Sequence, residues 1–402
     1  MALASSPAPA SPPALTRPIL LLALASFASQ SMVRVTDSLL PQIAADVGTT
    51  VGTASIVVTA YAVTHGGVQL IVGPLGDRFG KFRTVTLACG LCALAVVLCA
   101  LAKTLGTLAA ARLASGAAAA WIVPLSMAFV GDVIPYERRQ AVLGRYLSGQ
   151  IAGQLFGQAA GGILGDLFGW RGVFVVLAGL FALVCIALLY ELATNPLTRD
   201  SPRPHLQGRS LLTDYKLVLG DPWARTILFC VMIEAGLAYG VFAFVGADLH
   251  VRFGLNFTLV GVVVATFGLG GLIYAALVRR LVARFGQPGL ALYGGMLMSA
   301  SYVGLAVTPV WWLAPVAVTG LGLGFYMLHN TMQTHATQMA PDARGTSLAI
   351  FASSIYFGQI VAVPLAAEVV DRAGAPPVFV IAAAMVAVLS VWISRRLAAR
   401  RA

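Results

Sequence analysis

Apolar stretches of about 20 residues recur along the whole of this 402-residue chain. A helix of that length crosses the ~30 Å hydrocarbon core of a bilayer, where the backbone must satisfy its own hydrogen bonds. Only 10% of the residues are charged and 59% are hydrophobic, far from the composition of a soluble domain. The sequence therefore predicts an all-α polytopic membrane protein with twelve transmembrane helices, at 18–40, 52–73, 84–102, 106–130, 142–163, 170–192, 223–246, 258–278, 289–308, 311–338, 345–367 and 375–394.

The longest polar segment, rich in proline and arginine, separates the first six predicted helices from the last six. Such a composition is typical of a linker between two pseudo-symmetric six-helix bundles. Ala, Ser and Pro dominate the N-terminal tail, which we expect to be disordered. The predicted parts are a disordered tail over 1–16, an N-terminal bundle over 17–192, a cytoplasmic linker over 193–222, a C-terminal bundle over 223–396 and a basic tail over 397–402.

Lysine and arginine lie mainly on one side of this predicted bundle. If the N-terminus is inside, the segments on that side hold 20 of the 26 basic residues and the opposite side holds four. This asymmetry follows the positive-inside rule, so both termini are predicted to be cytoplasmic in a multi-pass protein of the plasma (inner) membrane. The net charge of +11 thus orients the helices, and we expect no nucleic-acid partner.

All five cysteines fall inside predicted helices, where they act as small apolar residues. The chain contains no phosphate-binding GxxxxGK loop, no metal-ligand cluster and no nucleophile motif. We therefore expect no metal, no cofactor, no use of ATP and no enzymatic activity.

A short loop motif occurs twice in the chain. Residues 75–80 (LGDRFG) follow the second predicted helix, and residues 281–286 (LVARFG) follow the eighth, 206 residues later. Pro135 and Arg138, after the fourth helix, recur at the same spacing after the tenth. Two halves with matching loops indicate duplication, with the halves related by an axis along the membrane normal. This architecture is typical of transporters.

The first copy of the motif lies in residues 73–83, GPLGDRFGKFR, which resemble the signature loop between helices two and three of the major facilitator superfamily. The resemblance extends over 17–396. It implies a conformational latch, in which Asp77 pairs with basic groups or a helix N-terminus across the seam between the halves. The charges also hold the loop in the cytoplasm, and Ala283 replaces Asp77 in the second copy, so any latch is asymmetric. The predicted latch residues are Gly73, Asp77, Arg78, Gly80, Lys81 and Arg83.

Glycines of the fifth predicted helix are spaced like the glycine motif of the 12-helix drug/proton antiporters of this superfamily, although Gln158 replaces the proline of that motif. Glycine at every fourth position from 149 to 165 gives the helix a stripe that lets a neighbour approach closely. The resemblance adds a sliding seam and a barrier to leak, whereas the stripe by itself requires only close packing. The motif positions are Gly144, Gly153, Gly157, Gly161 and Gly162.

Few ionisable residues are predicted at membrane depth, where each needs a partner, a watery cavity or a neutral state. Arg34 and Asp37 lie three residues apart in the outer part of the first helix. Arg112 belongs to a segment that resembles the intramembrane arginine motif of the same antiporters and is predicted to reach similar depth. We expect the three side chains to cluster, so that surplus positive charge favours an anionic ligand or an ionised Asp37.

Glu234 has no arginine nearby in its own helix, so burial favours its neutral form. It is our first choice for proton coupling, with Asp37 second. A structural acid at Glu234 and a solvated helix end at Asp37 are the alternatives. Further candidates for the substrate cavity are Arg34, Arg112, His329 and a row of amides at i, i+4 and i+8 that either bind substrate or bridge helices, namely Gln150, Gln154 and Gln158.

Together these features predict a secondary active transporter, a monomer that exports small amphipathic molecules in exchange for protons by alternating access. Uptake or facilitated passage of an organic anion, using Arg34 and Arg112, is a second transport hypothesis. A non-transporting membrane sensor that keeps a transporter body is the alternative of another class. The expected partners are a small-molecule substrate, protons and the lipid bilayer.

Overall fold

The computed structural model describes residues 13–199, 211–340 and 343–400. Most of the predicted disordered tail and the middle of the predicted linker are outside these ranges. The surroundings of several residues named above are also outside the description, namely Gly73, Asp77, Arg78 and Gly144.

The described residues are helical and include no strand, as the sequence predicts. The helices of the first half and the start of the linker are α1 (Pro13–Arg34), α2 (Leu40–Val47), α3 (Val51–Ala54), α4 (Ile56–Gln69), α5 (Val72–Phe79), α6 (Lys81–Leu101), α7 (Leu105–Ala119), α8 (Ile122–Val133), α9 (Tyr136–Thr194) and α10 (Pro196–Arg199). The remaining helices are α11 (Leu211–Gly220), α12 (Pro222–Ala235), α13 (Val245–Phe253), α14 (Phe257–Val307), α15 (Ala314–Ala336), α16 (Arg344–Ala373) and α17 (Pro376–Ala399).

One boundary differs from the sequence prediction. Helix α1 begins at Pro13, inside the tail predicted to be disordered. The predicted linker contains the helices α10 and α11, and Tyr215 of α11 donates a hydrogen bond to the carbonyl oxygen of Leu70 at the end of α4. Helix α11 of the linker therefore contacts the first half through Tyr215, and its Asp214 accepts a hydrogen bond from Thr346 of α16 in the second half.

Ten stretches of the described chain are long and apolar enough to cross a membrane. Two of them, at Tyr146–Thr194 and Phe257–Val307, are 49 and 51 residues long. At 1.5 Å per residue such a helix would be about 75 Å long, more than twice a bilayer core. Each is broken at a glycine with left-handed φ, Gly169 (φ 69°) in α9 and Gly286 (φ 61°) in α14. Each therefore has room for two crossings, which would bring the ten stretches of the described residues to the twelve crossings that the sequence predicts.

The backbone turns repeat between the two halves. Six described residues have positive φ, and all six are glycines. They form three pairs whose members lie 206, 206 and 205 residues apart, namely Gly48 with Gly254, Gly80 with Gly286, and Gly169 with Gly374. Only glycine adopts such φ values at no steric cost, so the duplication is visible in the geometry of the turns as well as in the loop motif.

The bundle has two ends, which we name by their residues. The basic face carries Arg17, Arg83, Arg279, Arg284 and Arg396. The far face carries the connections around Gly48, Lys103, Gly169, Gly254, Pro309 and Gly374.

The two halves pack against each other at the far face. A Cβ at Gly162 in α9 would lie 2.8 Å from the Cα of Gly261 in α14, so these backbones touch. A Cβ at Gly246 in α13 would lie 2.6 Å from the carbonyl oxygen of Asp37. Contact between α4 and α16 continues towards the middle of the bundle, where a Cβ at Gly66 would lie 2.7 Å from the Cβ of Tyr356. The seam between the halves thus passes directly beside Asp37, one of the residues predicted to be functional.

Candidate functional site

A carboxyl and an imidazole meet in the middle of the second half. The Nδ1 atom of His329 in α15 lies 3.2 Å from Oε2 of Glu234 in α12. Glu234 is completely buried, and its Oε1 has no hydrogen-bond partner among the described residues. The His329 ring stacks on Phe325 with 4.8 Å between ring centroids, and Phe351 lies on another side. The Glu234 carboxyl is therefore shielded from water and keeps one unsatisfied acceptor, whereas the His329 side chain is 13% exposed.

The backbone departs from α-helical geometry directly after Glu234. A π-helical turn spans Gly236–Val241 and a 3₁₀ turn follows at Phe242–Phe244. Tyr302 donates a hydrogen bond of 2.5 Å to the carbonyl oxygen of Leu237 within the π turn, which anchors it to α14. Such π turns inside helices occur frequently at functional sites. Here the turn carries Tyr239, which faces the first half of the protein.

Arg34 joins the two halves at this point. Helix α1 ends at Arg34, and a 3₁₀ turn over Val35–Ser38 places Asp37 with its Oδ2 3.5 Å from the guanidinium. The Arg34 guanidinium lies 3.7 Å from the centroid of the Tyr239 ring. A desolvated cation–π contact of this kind contributes about 2 kcal/mol. Neither Asp37 oxygen has a hydrogen-bond partner among the described residues, so the ion pair is the principal compensation for its burial.

Arg112 bonds to backbone carbonyl oxygens of the first half. Its Nε donates to the carbonyl oxygen of Val57 at 3.2 Å and its NH1 group to that of Met32 at 3.4 Å. The guanidinium lies over the Tyr61 ring, 4.4 Å from the centroid, and the residue is 1% exposed. Arg112 is close enough to Asp37 for electrostatic interaction, but the described contacts include no ion pair between them. It therefore ties three helices of the first half together.

The three glutamines of α9 lie at the seam. Gln150 lies beside Tyr146, and Gln154 beside Tyr239 of the π turn. Gln158 is fully buried, and neither atom of its amide has a partner among the described residues. The Nε2 atoms of the other two also lack partners there. The row therefore offers hydrogen-bonding capacity that the described protein atoms do not use.

The predicted packing glycines fall into two groups. Gly153 and Gly157 lie against α1, since a Cβ would approach the Cα atoms of Phe27 and Ser31 to 2.8 and 2.7 Å. A Cβ at Gly161 would lie 2.7 Å from the Ser38 hydroxyl, also within the first half. Gly162 instead faces α14 of the second half. Gly153, Gly157 and Gly161 thus pack within the first half, whereas Gly162 packs at the seam between the halves.

Of the predicted latch residues, three can be placed. Gly80 (φ 90°) makes the turn between α5 and α6, and Arg83 is exposed. Lys81 lies 2.5 Å from Asp132 at the end of α8. This ion pair stays within the first half. The latch remains a prediction, because the side chains of Asp77 and Arg78 are outside the described residues.

One group at the seam was missed by sequence reasoning. The ring of His65 in α4 stacks between Tyr61 of the same helix, at 5.1 Å, and Tyr356 of α16, at 4.3 Å. Its Nε2 lies 3.3 Å from the Gln69 amide. The i, i+4 spacing of His65 and Gln69 in an otherwise apolar helix was the available signal. With Tyr239 over Arg34, this stack makes the middle of the seam aromatic as well as polar.

Comparison with known proteins gives consistent matches. The family model of the Major Facilitator Superfamily matches residues 22–353 and 253–401. An uncharacterized MFS-type transporter, YceJ, of Bacillus subtilis (strain 168) is 26% identical over 314 residues, covering 77% of this chain and 78% of that protein. Multidrug resistance protein 1 of the same organism is 26% identical over 312 residues, covering 74% and 75%.

A solved structure shares the fold. It is a bacterial homologue of the human lysosomal transporter Spinster in an inward-facing and unoccupied conformation. The TM-score is 0.75 at 17% sequence identity, with 96% of this chain and 98% of that chain covered.

Proposed function

We propose, from the premise that this chain belongs to the Major Facilitator Superfamily, that it is a proton-coupled exporter of small amphipathic molecules. As a member of that family it is a multi-pass membrane transporter and not an enzyme. Proton coupling, the direction of transport and the class of substrate are the proposal.

The observation that supports proton coupling is the buried pair of Glu234 and His329. Burial makes net charge costly, so the pair is most stable when the two groups are both neutral or form an ion pair. Gain or loss of one proton gives the pair a net charge, which is tolerated only when water reaches it. Protonation is thereby linked to whether the seam is open, which is the condition for coupling a proton to a conformational cycle.

The side chains along the seam are suited to an amphipathic substrate. Aromatic rings at Tyr61, Tyr239 and Tyr356 offer flat apolar surfaces, and the amides of the glutamine row offer hydrogen bonds. Sites for small molecules are typically apolar with a few polar groups that fix orientation. A relative that covers 74% of this chain is a multidrug resistance protein, which agrees with this substrate class.

The organic-anion hypothesis has weaker support. It relied on two arginines, and Arg112 is held by the backbone carbonyl oxygens of Val57 and Met32. Arg34 is already paired with Asp37. An anion would have to compete with that carboxylate for Arg34.

We further propose that the basic face is cytoplasmic, as the positive-inside rule predicts, and that the structure is inward-facing. The contacts between halves at the far face are those expected when the outer side is closed. The solved relative of the same fold is also inward-facing.

Transport in liposomes tests the proposal. Purified protein is reconstituted, a pH gradient is imposed without ATP, and accumulation is followed for a panel of labelled drugs, sugars and organic acids. We expect gradient-dependent accumulation of amphipathic drugs, abolished by a protonophore. Accumulation that is indifferent to the protonophore would contradict proton coupling, and uptake of organic acids alone would favour the anion hypothesis.

A further inference from the structure

We propose that two aspartates, one from each half, clasp the far face shut by binding the first turn of a helix in the other half. Asp166 of α9 binds the start of α14, and Asp371 of α16 binds the start of α3. We call these two contacts the aspartate clasps. The inference rests on the proposed alternation between inward-facing and outward-facing states.

The first clasp runs from the first half to the second. The carboxylate of Asp166 accepts hydrogen bonds from the backbone N–H of Phe257 at 3.1 Å and of Thr258 at 2.6 Å. These are the first two residues of α14, whose N-cap is Asn256. The free N–H groups and positive end of a helix favour a carboxylate at this position.

The second clasp runs in the opposite direction. The carboxylate of Asp371 accepts a hydrogen bond from the backbone N–H of Gly52 at 2.8 Å and from the hydroxyl of Thr50 at 2.6 Å. Thr50 is the N-cap of α3, which opens the span Val51–Gln69. Gly52 is required here because a Cβ would lie 2.6 Å from the carbonyl oxygen of Ala367.

The duplication relates the two clasps to each other. Asp166 and Asp371 each stand three residues before a glycine with left-handed φ, Gly169 and Gly374. Each aspartate also accepts a hydrogen bond from a backbone N–H at an equivalent position. That position is four residues after a left-handed glycine: Gly52 follows Gly48, and Thr258 follows Gly254. Two equivalent carboxylates thus make equivalent contacts across the same seam.

Neighbouring charges at the far face are engaged elsewhere. Arg372, next to Asp371, pairs with Glu368 of the same helix. Arg171, near Asp166, lies 2.5 Å from Asp46 within the first half. The clasps are therefore contacts between a carboxylate and a helix end, and they differ in kind from the ion pairs around them.

Opening of the far face must break both clasps. The carboxylates and the N–H groups can then bind water, so only part of the free energy of the clasp contacts is lost. A carboxylate at a helix N-terminus changes an equilibrium by about two- to fivefold, and the two together by about four- to 25-fold if they act independently. The clasps therefore shift the resting population towards the state that is closed at the far face.

Distance measurements on the purified full-length protein test this inference. In a chain whose five cysteines are replaced by alanine, spin labels are attached at Lys103→Cys and Pro309→Cys, which are exposed far-face positions in opposite halves. Double electron–electron resonance then measures the distance between the two labels, and so the separation of the halves, without substrate or gradient. We expect Asp166→Asn and Asp371→Asn each to increase the long-distance population, and the double variant to increase it most.

Asp46→Asn is the matched control. Asp46 is an acidic residue at the same face, and the hydrogen bond from Arg171 holds the pKa of its carboxyl below the ordinary value. Because its partners are in its own half, this change should leave the distances unaltered. A double clasp variant whose distances match those of the parent protein would overturn the inference. The distance measurement does not depend on transport. If proton-driven transport were not found, a shift in distance would still support the clasps.

Discussion

Glu234→Gln is expected to remove proton-driven accumulation while substrate exchange continues. Glutamine has nearly the shape of glutamate and can still bond to His329, 3.2 Å away, but it cannot release a proton. For one proton per substrate, a gradient of one pH unit drives about tenfold accumulation, since one pH unit is worth about 1.4 kcal/mol. The variant should accumulate substrate to a ratio near one and should still catalyse counterflow of labelled against unlabelled substrate.

The controls separate coupling from stability. Glu191→Gln changes another buried glutamate, which pairs with Arg17 at 3.1 Å at the basic face and away from the seam. It should keep the full accumulation ratio. Asp37→Asn tests the second candidate. Full gradient-driven accumulation by Glu234→Gln would exclude Glu234 as the coupling acid, and its loss in Asp37→Asn alone would move that role to Asp37.

Gly162→Leu is expected to reduce transport by at least about fivefold in a protein that still folds. A Cβ at Gly162 would lie 2.8 Å from the Cα of Gly261 and 2.9 Å from its N, so the two halves must separate at the far face to admit a side chain. Overpacking of this kind costs about 1–3 kcal/mol, which corresponds to about five- to 150-fold in the population of the closed state. Initial rates of transport and the midpoint of thermal unfolding measure the two effects separately.

Two other glycines provide the comparison. Gly157→Leu places the side chain against Ser31 inside the first half, where a Cβ would lie 2.7 Å from the Cα, and it should lower the thermal midpoint and the yield of folded protein. Gly179→Leu, in a position with no neighbouring atom within 4 Å, should alter neither transport nor stability. Transport by Gly162→Leu at the parental rate would show that this contact is not part of the moving seam.

The arrangement of helices was largely predictable because a membrane helix satisfies its own backbone hydrogen bonds, so that length and hydropathy mark it in the sequence. The two helices broken at Gly169 and Gly286 have their breaks in the gaps between predicted spans. The loop motif predicted the duplication that the paired glycine turns show. The π turn after Glu234 was not predictable from hydropathy, since its residues are as apolar as the helix around it.

The site was predicted less well because its contacts join residues that are far apart in the chain. Glu234 and His329 were both singled out, but nothing in either helix indicates that they face each other across 95 residues. Arg112 was placed in a charged cluster, yet backbone carbonyl oxygens, which leave no trace in a sequence, are its partners. The aspartate clasps did have a signal in the sequence. The same Asp-x-x-Gly pattern occurs at two far-face connections, at 166–169 and at 371–374.

The most direct test of the account is the accessibility of a single cysteine at the middle of the seam from each face of the membrane. Gln154→Cys, in the chain with its five native cysteines replaced by alanine, places a thiol beside Tyr239 between the halves. A membrane-impermeant maleimide is applied to right-side-out and to inverted vesicles. Alternating access predicts labelling from both faces, slowed by transported substrate, whereas labelling from the basic face alone at every time and under every gradient would contradict it.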